Sequence, residues 1–420
     1  MNNFLKLFSI LFFLSFTLCS AYIVYAQNHS LNNLLTDEDA VIISDKNGKI
    51  IFSKNSSKKL VPASTLKVLT SLAAIHFLGS DFRFKTEFHM DNNSNLKIKG
   101  FGDPLMISEI VEEISSALCN NLKKNKIVIN NIILDDSYFD HLIKIPGTNL
   151  SDQPYDAPNG ALCVNFNTFY FKRFKNSYIS AEAQTPLLSC ALKKIRKTSS
   201  NSGRIVFSHN KNEYTLYAGE MFLFFLKKHG AKITGNIKTG HINKKDRLIL
   251  VYESNFSLSK IISKLLEYSN NFMANQLFIT MGANLFGPPG TIEKGKLALL
   301  DYADQTLGIK DINIVEGSGI SRQNKISAMD MDKILSEFKP YRKLMRTVGN
   351  EYYKTGTLNG IATRVGYIDN GKEDISRYVI LLNRSGKSMG DIMKLVRDIF
   401  NKKQYPKQNS FLKKINHLKG

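Results

Sequence analysis

The chain has 420 residues, with 57 lysines and arginines against 36 aspartates and glutamates, a formal net charge of +21. With 43% hydrophobic and 22% charged residues the composition is globular, which excludes wholesale disorder, and the length predicts two or three domains. A basic excess of this size points to nucleic acid, an anionic membrane surface or an anionic polymer as neighbour, or to no more than a solvated surface.

The N-terminus narrows the compartment. Lys6 supplies a positive start, Leu7 to Cys19 is an uncharged apolar run, and Val24-Tyr25-Ala26 offers a small-x-small-like cleavage pattern. Residues 1–26 therefore read as a secretory signal removed before Gln27; the apolar stretch reaches Ala26, so retention as an anchor is the alternative. Export argues against nucleic acid as the partner of the positive charge. Beyond the signal the cysteines are Cys119, Cys163 and Cys190, too dispersed for a disulfide scaffold or a zinc site. An oxidising compartment permits a Cys163–Cys190 bridge, but nothing in the sequence establishes it.

Two β-rich runs, Ala40 to Ile43 and Lys49 to Phe52, flank Asn47-Gly48 and predict a hairpin. Pro62 and Ser64 open a helix that runs to Phe77 and stops at Gly79. Its apolar residues wrap most of the circumference, which predicts burial. From about Arg83 to Leu250 the texture changes to short β-rich runs with Asn, Lys and Gly turns. Helical pattern returns from Leu258 to Met281 and from Ile292 to Leu307. Tyr353 to Ile368 and Ser376 to Leu382 read as strands, and Ile392 to Phe400 as a helix of period 3.6. The expected fold is mixed α/β (α+β), with an antiparallel sheet flanked by helices and interrupted by a β-rich insertion. The boundaries predicted are 27–84 and 251–404 for a discontinuous catalytic domain, 85–250 for the insertion (one subdomain or two), and 405–420 for a basic tail.

Ser64-Thr65-Leu66-Lys67 puts a hydroxyl and an amine three residues apart on one helix face. Burial disfavours the ammonium form, so such a lysine can take a proton from serine and activate a weak nucleophile. A serine in the first turn also meets free N–H groups and the helix dipole, which favour developing negative charge. The bare Ser-x-x-Lys pattern decides nothing, since it recurs, for instance at Ser56/Lys59, Ser208/Lys211 and Ser336/Lys339. The Pro-led start, the buried helix and the preceding hairpin single out Ser64.

Two further elements follow in order. Ser269-Asn270-Asn271, in a helical stretch starting at Tyr268, supplies a second hydroxyl and a carboxamide. Lys354-Thr355-Gly356-Thr357 opens a strand, where a cation beside hydroxyls suits a carboxylate-ended peptide laid alongside as an extra strand. Gly356 leaves room for that approach. Lys238-Thr239-Gly240 is a decoy, preceding the Ser-x-Asn element in a turn-rich region.

The ordered set Ser-x-x-Lys, Ser-x-Asn, Lys-Thr-Gly is the signature of serine penicillin-recognising enzymes. The long interval between Ser64 and Ser269 resembles the D-alanyl-D-alanine carboxypeptidase/endopeptidase family, the class C low-molecular-mass penicillin-binding proteins. Pro62 to Lys67 is similar to that family's nucleophile block. Gly102-Asp103-Pro104-Leu105, Leu134 to Phe139, Tyr155-Asp156-Ala157-Pro158 and Glu316 to Arg322 resemble its other landmarks. The sequence departs in having Asn270 where the family often has Asp, and Asn275 where an acidic residue often follows.

The resemblance implies a serine D,D-peptidase that cleaves D-alanyl-D-alanine and D-Ala-meso-diaminopimelyl-type bonds of peptidoglycan stem peptides through an acyl-enzyme on Ser64. It implies Lys67 as general base, Ser269 as proton relay to the leaving amine, and Asn271 as ligand of the substrate amide. Lys354 and Thr355, with Gly356 and Thr357, would hold the substrate carboxylate and strand. The backbone N–H groups of Ser64 and Thr357 would form the oxyanion hole. No metal or organic cofactor is implied, β-lactams are expected as covalent inhibitors, and the location implied is periplasmic. The alternatives are a serine β-lactamase, disfavoured by the long insertion, and a catalytically silent peptidoglycan-binding scaffold, disfavoured by the complete motif set.

The remaining features read as structural. His76, His89, His141, His209, His229 and His241 have no acidic partner at ligand or triad spacing, and Asp135-Asp136 on a strand would face opposite ways. The tail from Lys402 on is basic, with Phe411, Leu412, Ile415 and Leu418 on one helical face. It reads as a weak membrane-surface contact or as a solvated terminus.

Overall fold

In a computed structural model of the chain the described residues are 30–402, apart from 125–126, 142, 199, 372–373, 385 and 387. The expected signal segment and the tail 405–420 lie outside them. The chain divides into two compact units. Of the described residues, one comprises those up to Val61, Ile326–Arg342 and those from Thr347 onward; the other comprises those in Pro62–Lys325 and Lys343–Arg346.

The first unit is built on a six-stranded sheet ordered Arg346–Val348, Glu351–Leu358, Ile361–Asp369, Ile375–Leu382, Asp39–Ser44, Ile50–Lys54. The Asn47-Gly48 hairpin forms as expected: Gly48 takes φ +82°, and the Asp45 side chain accepts the N–H groups of Asn47 and Lys49 at 3.0 Å each. Every residue of Asp39–Ser44 and of Ile375–Leu382 is buried. A strand buried along its whole length needs cover on both faces. Helix Met389–Lys402 covers one, joining Ile392, Val396 and Ile399 to Val41, Ile43, Tyr378 and Ile380. Helix Ala328–Phe338 covers the other, where Asp332 makes a two-pronged ion pair with Arg377 at 3.0 Å and accepts the Ser44 hydroxyl at 3.1 Å.

The second unit holds the helix that follows Ser64, Lys67–Leu78, packed on helix Asn271–Phe286, which in turn packs on Ile292–Asp301. Lys67 to Ile75 are all buried, as an apolar surface wrapping most of the circumference demands. Between these helices in sequence lie a five-stranded mixed sheet, ordered Ile237–Thr239, Ile132–Asp135, Leu96–Gly100, Arg83–Met90, Arg247–Ser257, and a three-stranded antiparallel sheet around Thr168–Phe174. The same stretch also holds two long helices, Ser108–Lys124 and Lys211–Lys228, where short β-rich runs were expected. In the first, Ile110, Ile114, Leu118 and Leu122 recur every fourth residue and are buried on the larger sheet, so the helical period was present in the sequence. Lys238 and Thr239 of the decoy triplet form the edge strand of that sheet.

Cys119, Cys163 and Cys190 are free thiols, so the permitted Cys163–Cys190 bridge is not formed; burial pushes the Cys163 thiol up. Asp135 is structural, accepting the Ser137 hydroxyl at 2.6 Å and the Ile242 N–H at 2.8 Å. Asp136 pairs with Lys211 at 3.2 Å. Among the described residues no helix is long and apolar enough to cross a membrane.

Candidate active site

Ser64 sits in a 3-10 turn, Ala63–Leu66, that leads directly into the helix beginning at Lys67. Ala63 is wholly buried and left-handed (φ +48°), a conformation that disfavours a residue with a β-carbon and persists only where its surroundings enforce it. The Thr65 hydroxyl donates to the Pro62 carbonyl at 2.6 Å and pins the turn from inside.

Lys67 is fully buried. Its Nζ lies 2.9 Å from Ser64 Oγ, 2.8 Å from Asn271 Oδ1 and 2.7 Å from the Ser318 carbonyl oxygen. Two of these three partners, the amide oxygen and the backbone carbonyl, can only accept. They take two N–H bonds whatever the charge of the lysine. When Lys67 is neutral, its lone pair can accept from the Ser64 hydroxyl 2.9 Å away. A base within reach of a nucleophile in this way is what proton abstraction requires.

Asn271 comes from the Ser-x-Asn element, but this element is not within a helix. Leu258–Tyr268 ends at Ser269, which is left-handed (φ 56°, ψ 36°), and a new helix starts at Asn271. Asn270 is the cap: its side-chain oxygen accepts the Met273 N–H at 3.0 Å. Asn and Asp cap about equally well, so the departure from Asp at this position leaves the element's local role intact. The Ser269 kink replaces the continuous helix that the apolar period from Leu258 to Met281 suggests.

Glu316 organises the opposite wall. This carboxylate has no exposed surface. One oxygen accepts the Ser318 N–H (2.7 Å), the Ser318 hydroxyl (2.6 Å) and the Asn275 amide (3.2 Å). The other accepts the N–H groups of Gly319 (2.7 Å) and Ser321 (3.3 Å) and the Asn324 amide (2.6 Å). This bonding closes residues 316–321 into a tight loop and sets the Ser318 carbonyl on Lys67. The Asn275 oxygen also accepts the Gly317 N–H at 2.8 Å, and the Thr70 hydroxyl donates to the Gly317 carbonyl at 2.6 Å. Asn275 is thus a structural clamp on the loop.

Lys354, Thr355, Gly356 and Thr357 lie together on strand Glu351–Leu358 of the first unit. Lys354 is buried, and its Nζ donates to the Thr355 carbonyl at 2.7 Å; Thr355 and Thr357 are exposed. The outer neighbour of this strand, Arg346–Val348, has three residues against eight. Upstream on the strand Glu351 is buried against Arg364 (2.8 Å) and Arg397 (2.8 Å), and Arg364 stacks on Tyr353 at 3.8 Å.

The second unit thus gathers Ser64, Lys67 and Asn271, with Ser269 two residues before Asn271. It adds Ser318 and Glu316, which the sequence marks only as part of the Glu316 to Arg322 landmark, and the Tyr155 carbonyl, which accepts the Asn271 amide N–H at 3.3 Å. Among the described residues no three His, Cys, Asp or Glu side chains are grouped as metal ligands would be.

Fold and site define a serine-type peptidase, a hydrolase of the D-Ala-D-Ala carboxypeptidase kind. The chain belongs to the D-Ala-D-Ala carboxypeptidase 3 (S13) family, whose model matches residues 26–215 and 199–347. It is 24% identical to the D-alanyl-D-alanine carboxypeptidase DacB of Haemophilus influenzae, the match covering 82% of this chain and 84% of that protein. It is 21% identical to a D-alanyl-D-alanine carboxypeptidase of Actinomadura sp. (strain R39), over 82% and 78%. In fold it resembles the crystal structure of penicillin binding protein 4 from Haemophilus influenzae, with a TM-score of 0.70 at 19% identity over 90% of this chain and 99% of that one. The family match ends before Lys354, so the Lys-Thr-Gly assignment rests on the sequence pattern and the strand it occupies.

Proposed function

We propose that the chain cleaves D-alanyl-D-alanine and D-Ala-meso-diaminopimelyl-type bonds of peptidoglycan stem peptides through an acyl-enzyme on Ser64. The observation that carries this reading is the Lys67 amine, buried and 2.9 Å from Ser64 Oγ, with the Asn271 side-chain oxygen and the Ser318 carbonyl as further acceptors. Ser64 Oγ attacks the carbonyl carbon of the scissile bond while its proton passes to neutral Lys67. The N–H groups of Ser64 and Thr357 receive the developing oxyanion; removing one such donor typically costs about 2.7–4 kcal/mol of transition-state stabilisation. The tetrahedral intermediate collapses as the proton held by Lys67 reaches the leaving amine through the Ser269 hydroxyl, and the C–N bond breaks. Water then hydrolyses the ester and restores Ser64. Asn271 binds the substrate amide, while Lys354 and Thr355 hold its carboxylate along the exposed strand beside Gly356. That arrangement is supported by the short outer neighbour of the strand, by the exposure of Thr355 and Thr357, and by the similarity to peptidases.

β-Lactams acylate the same serine; a solved structure of the Haemophilus influenzae protein is complexed with a β-lactam. The charge of +21 fits a carboxylate-rich polymer as substrate. Export to the periplasm through residues 1–26, and a weak membrane-surface contact through 405–420, complete the proposal. Labelling with fluorescent penicillin tests its centre: the wild type labels covalently and Ser64→Ala does not. An unlabelled wild type would overturn it.

A further inference from the structure

The Asn271 carboxamide has two ends of nearly the same shape and opposite chemistry, so its partners must specify which end faces Lys67. Reversed, it would present its NH2 to the lysine and remove an acceptor 2.8 Å from Lys67 Nζ. We infer that the segment Ser151 to Asn159 is a positioning device that fixes this orientation; the inference rests on the roles proposed above for Asn271 and Lys67.

Two anchors carry it. The first is the Tyr155 carbonyl, which accepts from Asn271 Nδ2 at 3.3 Å. A carbonyl has no donor, so this contact admits one orientation of the amide only. The carbonyl is itself held by the 3-10 turn Pro154–Asp156, closed by the Asp156 N–H on the Gln153 carbonyl at 2.9 Å. The Asp156 carboxylate, 2% exposed, accepts the Ser151 hydroxyl at 2.5 Å and the Ser151 N–H at 3.3 Å, tying the turn to the chain that enters it.

The second anchor is Asn159, 1% exposed. Its Nδ2 donates to the Phe272 carbonyl at 2.9 Å and to Gln276 Oε1 at 3.0 Å. These groups belong to the first turns of the helix that starts at Asn271, so Asn159 fastens the segment to the element that carries the amide. Apolar packing alone would bury that helix without choosing a register. Buried hydrogen bonds are directional, and leaving them unmade is costly, so they select one.

The experiment uses the full chain and measures the rate of fluorescent-penicillin acylation, and kcat and KM on a D-Ala-D-Ala-terminated peptide. The variants are Asn159→Ala and Ser151→Ala, each alone and combined with Asn271→Ala. A residue acting through Asn271 lowers acylation and kcat by about tenfold with KM little changed, since small misplacements of a reacting group are costly. It produces no further loss once Asn271 is alanine. An equal loss in both backgrounds would mean a merely structural role and would overturn the inference, as would wild-type rates in both single variants alongside a slow Asn271→Ala. If Asn271→Ala itself acylates at the wild-type rate, the role proposed for Asn271 falls together with the inference. Ser151 is not part of the buried helix contact, so its variant keeps the test open if Asn159→Ala does not fold.

Discussion

Gly319 lies so close to Ala63 that a β-carbon on it would sit 1.9 Å from the Ala63 carbonyl oxygen. The loop organised by Glu316 thus rests directly on the residue before the nucleophile, and Gly319 is left-handed there (φ +83°). Substitution by alanine meets both obstacles together, backbone strain and a backbone clash that no rotamer relieves. Gly319→Ala is expected to destabilise the protein by at least about 2 kcal/mol and to slow acylation more than tenfold, because the displaced Ala63 carries Ser64 with it. Denaturant unfolding and labelling kinetics read the two effects; a variant with unchanged acylation would show that the turn does not need this support.

Glu316→Gln tests the loop from within. The carboxylate is surrounded by six donors, and an amide turns one accepting atom into a donor facing donors. Since buried polar groups left unpaired cost about 1–3 kcal/mol each, a loss of about 3 kcal/mol or more in unfolding free energy is expected. Acylation should fall with it as the Ser318 carbonyl leaves Lys67. Wild-type stability in Glu316→Gln would mean that the loop is held by packing.

What the sequence disclosed and what it hid divide along physical lines. The Asn47-Gly48 hairpin and the Ser64/Lys67 pair were legible because turn chemistry and helical spacing are local. Asn271 was legible as part of the Ser-x-Asn element, but the Ser318 carbonyl on the lysine and the Tyr155 carbonyl on Asn271 were not, because backbone groups leave no mark in residue type. Glu316 is an unremarkable acidic residue until neighbouring N–H groups fold back on it. The break at Ser269 was hidden by apolar periodicity, which runs through it undisturbed, although Asn270 is a readable cap.

Asn270 yields a narrow prediction from that cap. Asn270→Asp keeps an acceptor for the Met273 N–H and should leave stability within about 0.5 kcal/mol of wild type, while Asn270→Ala should cost about 1 kcal/mol. Both variants should retain labelling on Ser64. Equal loss in the two would assign Asn270 a role other than capping, and thermal melts at matched pH separate the cases.

In the first unit the Asp332–Arg377 pair is buried and two-pronged, with side chains 12% and 7% exposed. Removing one partner leaves a buried charge, so Asp332→Ala is expected to cost about 3–5 kcal/mol. Replacing both by apolar residues of similar size should recover much of that loss. A double variant no better than the single one would show that the pair contributes more than it costs to desolvate.

Asp103, in the Gly102 to Leu105 landmark, is 5% exposed, and burial pushes its carboxyl up to about 6 from an ordinary 3.8; the Leu105 N–H at 2.8 Å and the Ser254 hydroxyl favour the anion and offset burial only in part. A carboxyl whose pKa is higher in the folded state than in the unfolded one binds its proton more tightly when folded. Its contribution to stability is fully present below pH 3.8 and is lost as pH rises through 6. At 1.36 kcal/mol per pKa unit, a rise of that size corresponds to about 3 kcal/mol. Asp103→Asn has no proton to lose and keeps an acceptor for Leu105. It should remove this contribution, so that the wild type loses stability relative to the variant between pH 4 and 7, with the difference flat above. Denaturant unfolding of both proteins across that range measures it, and parallel curves would mean that Asp103 stays ionised in the folded protein.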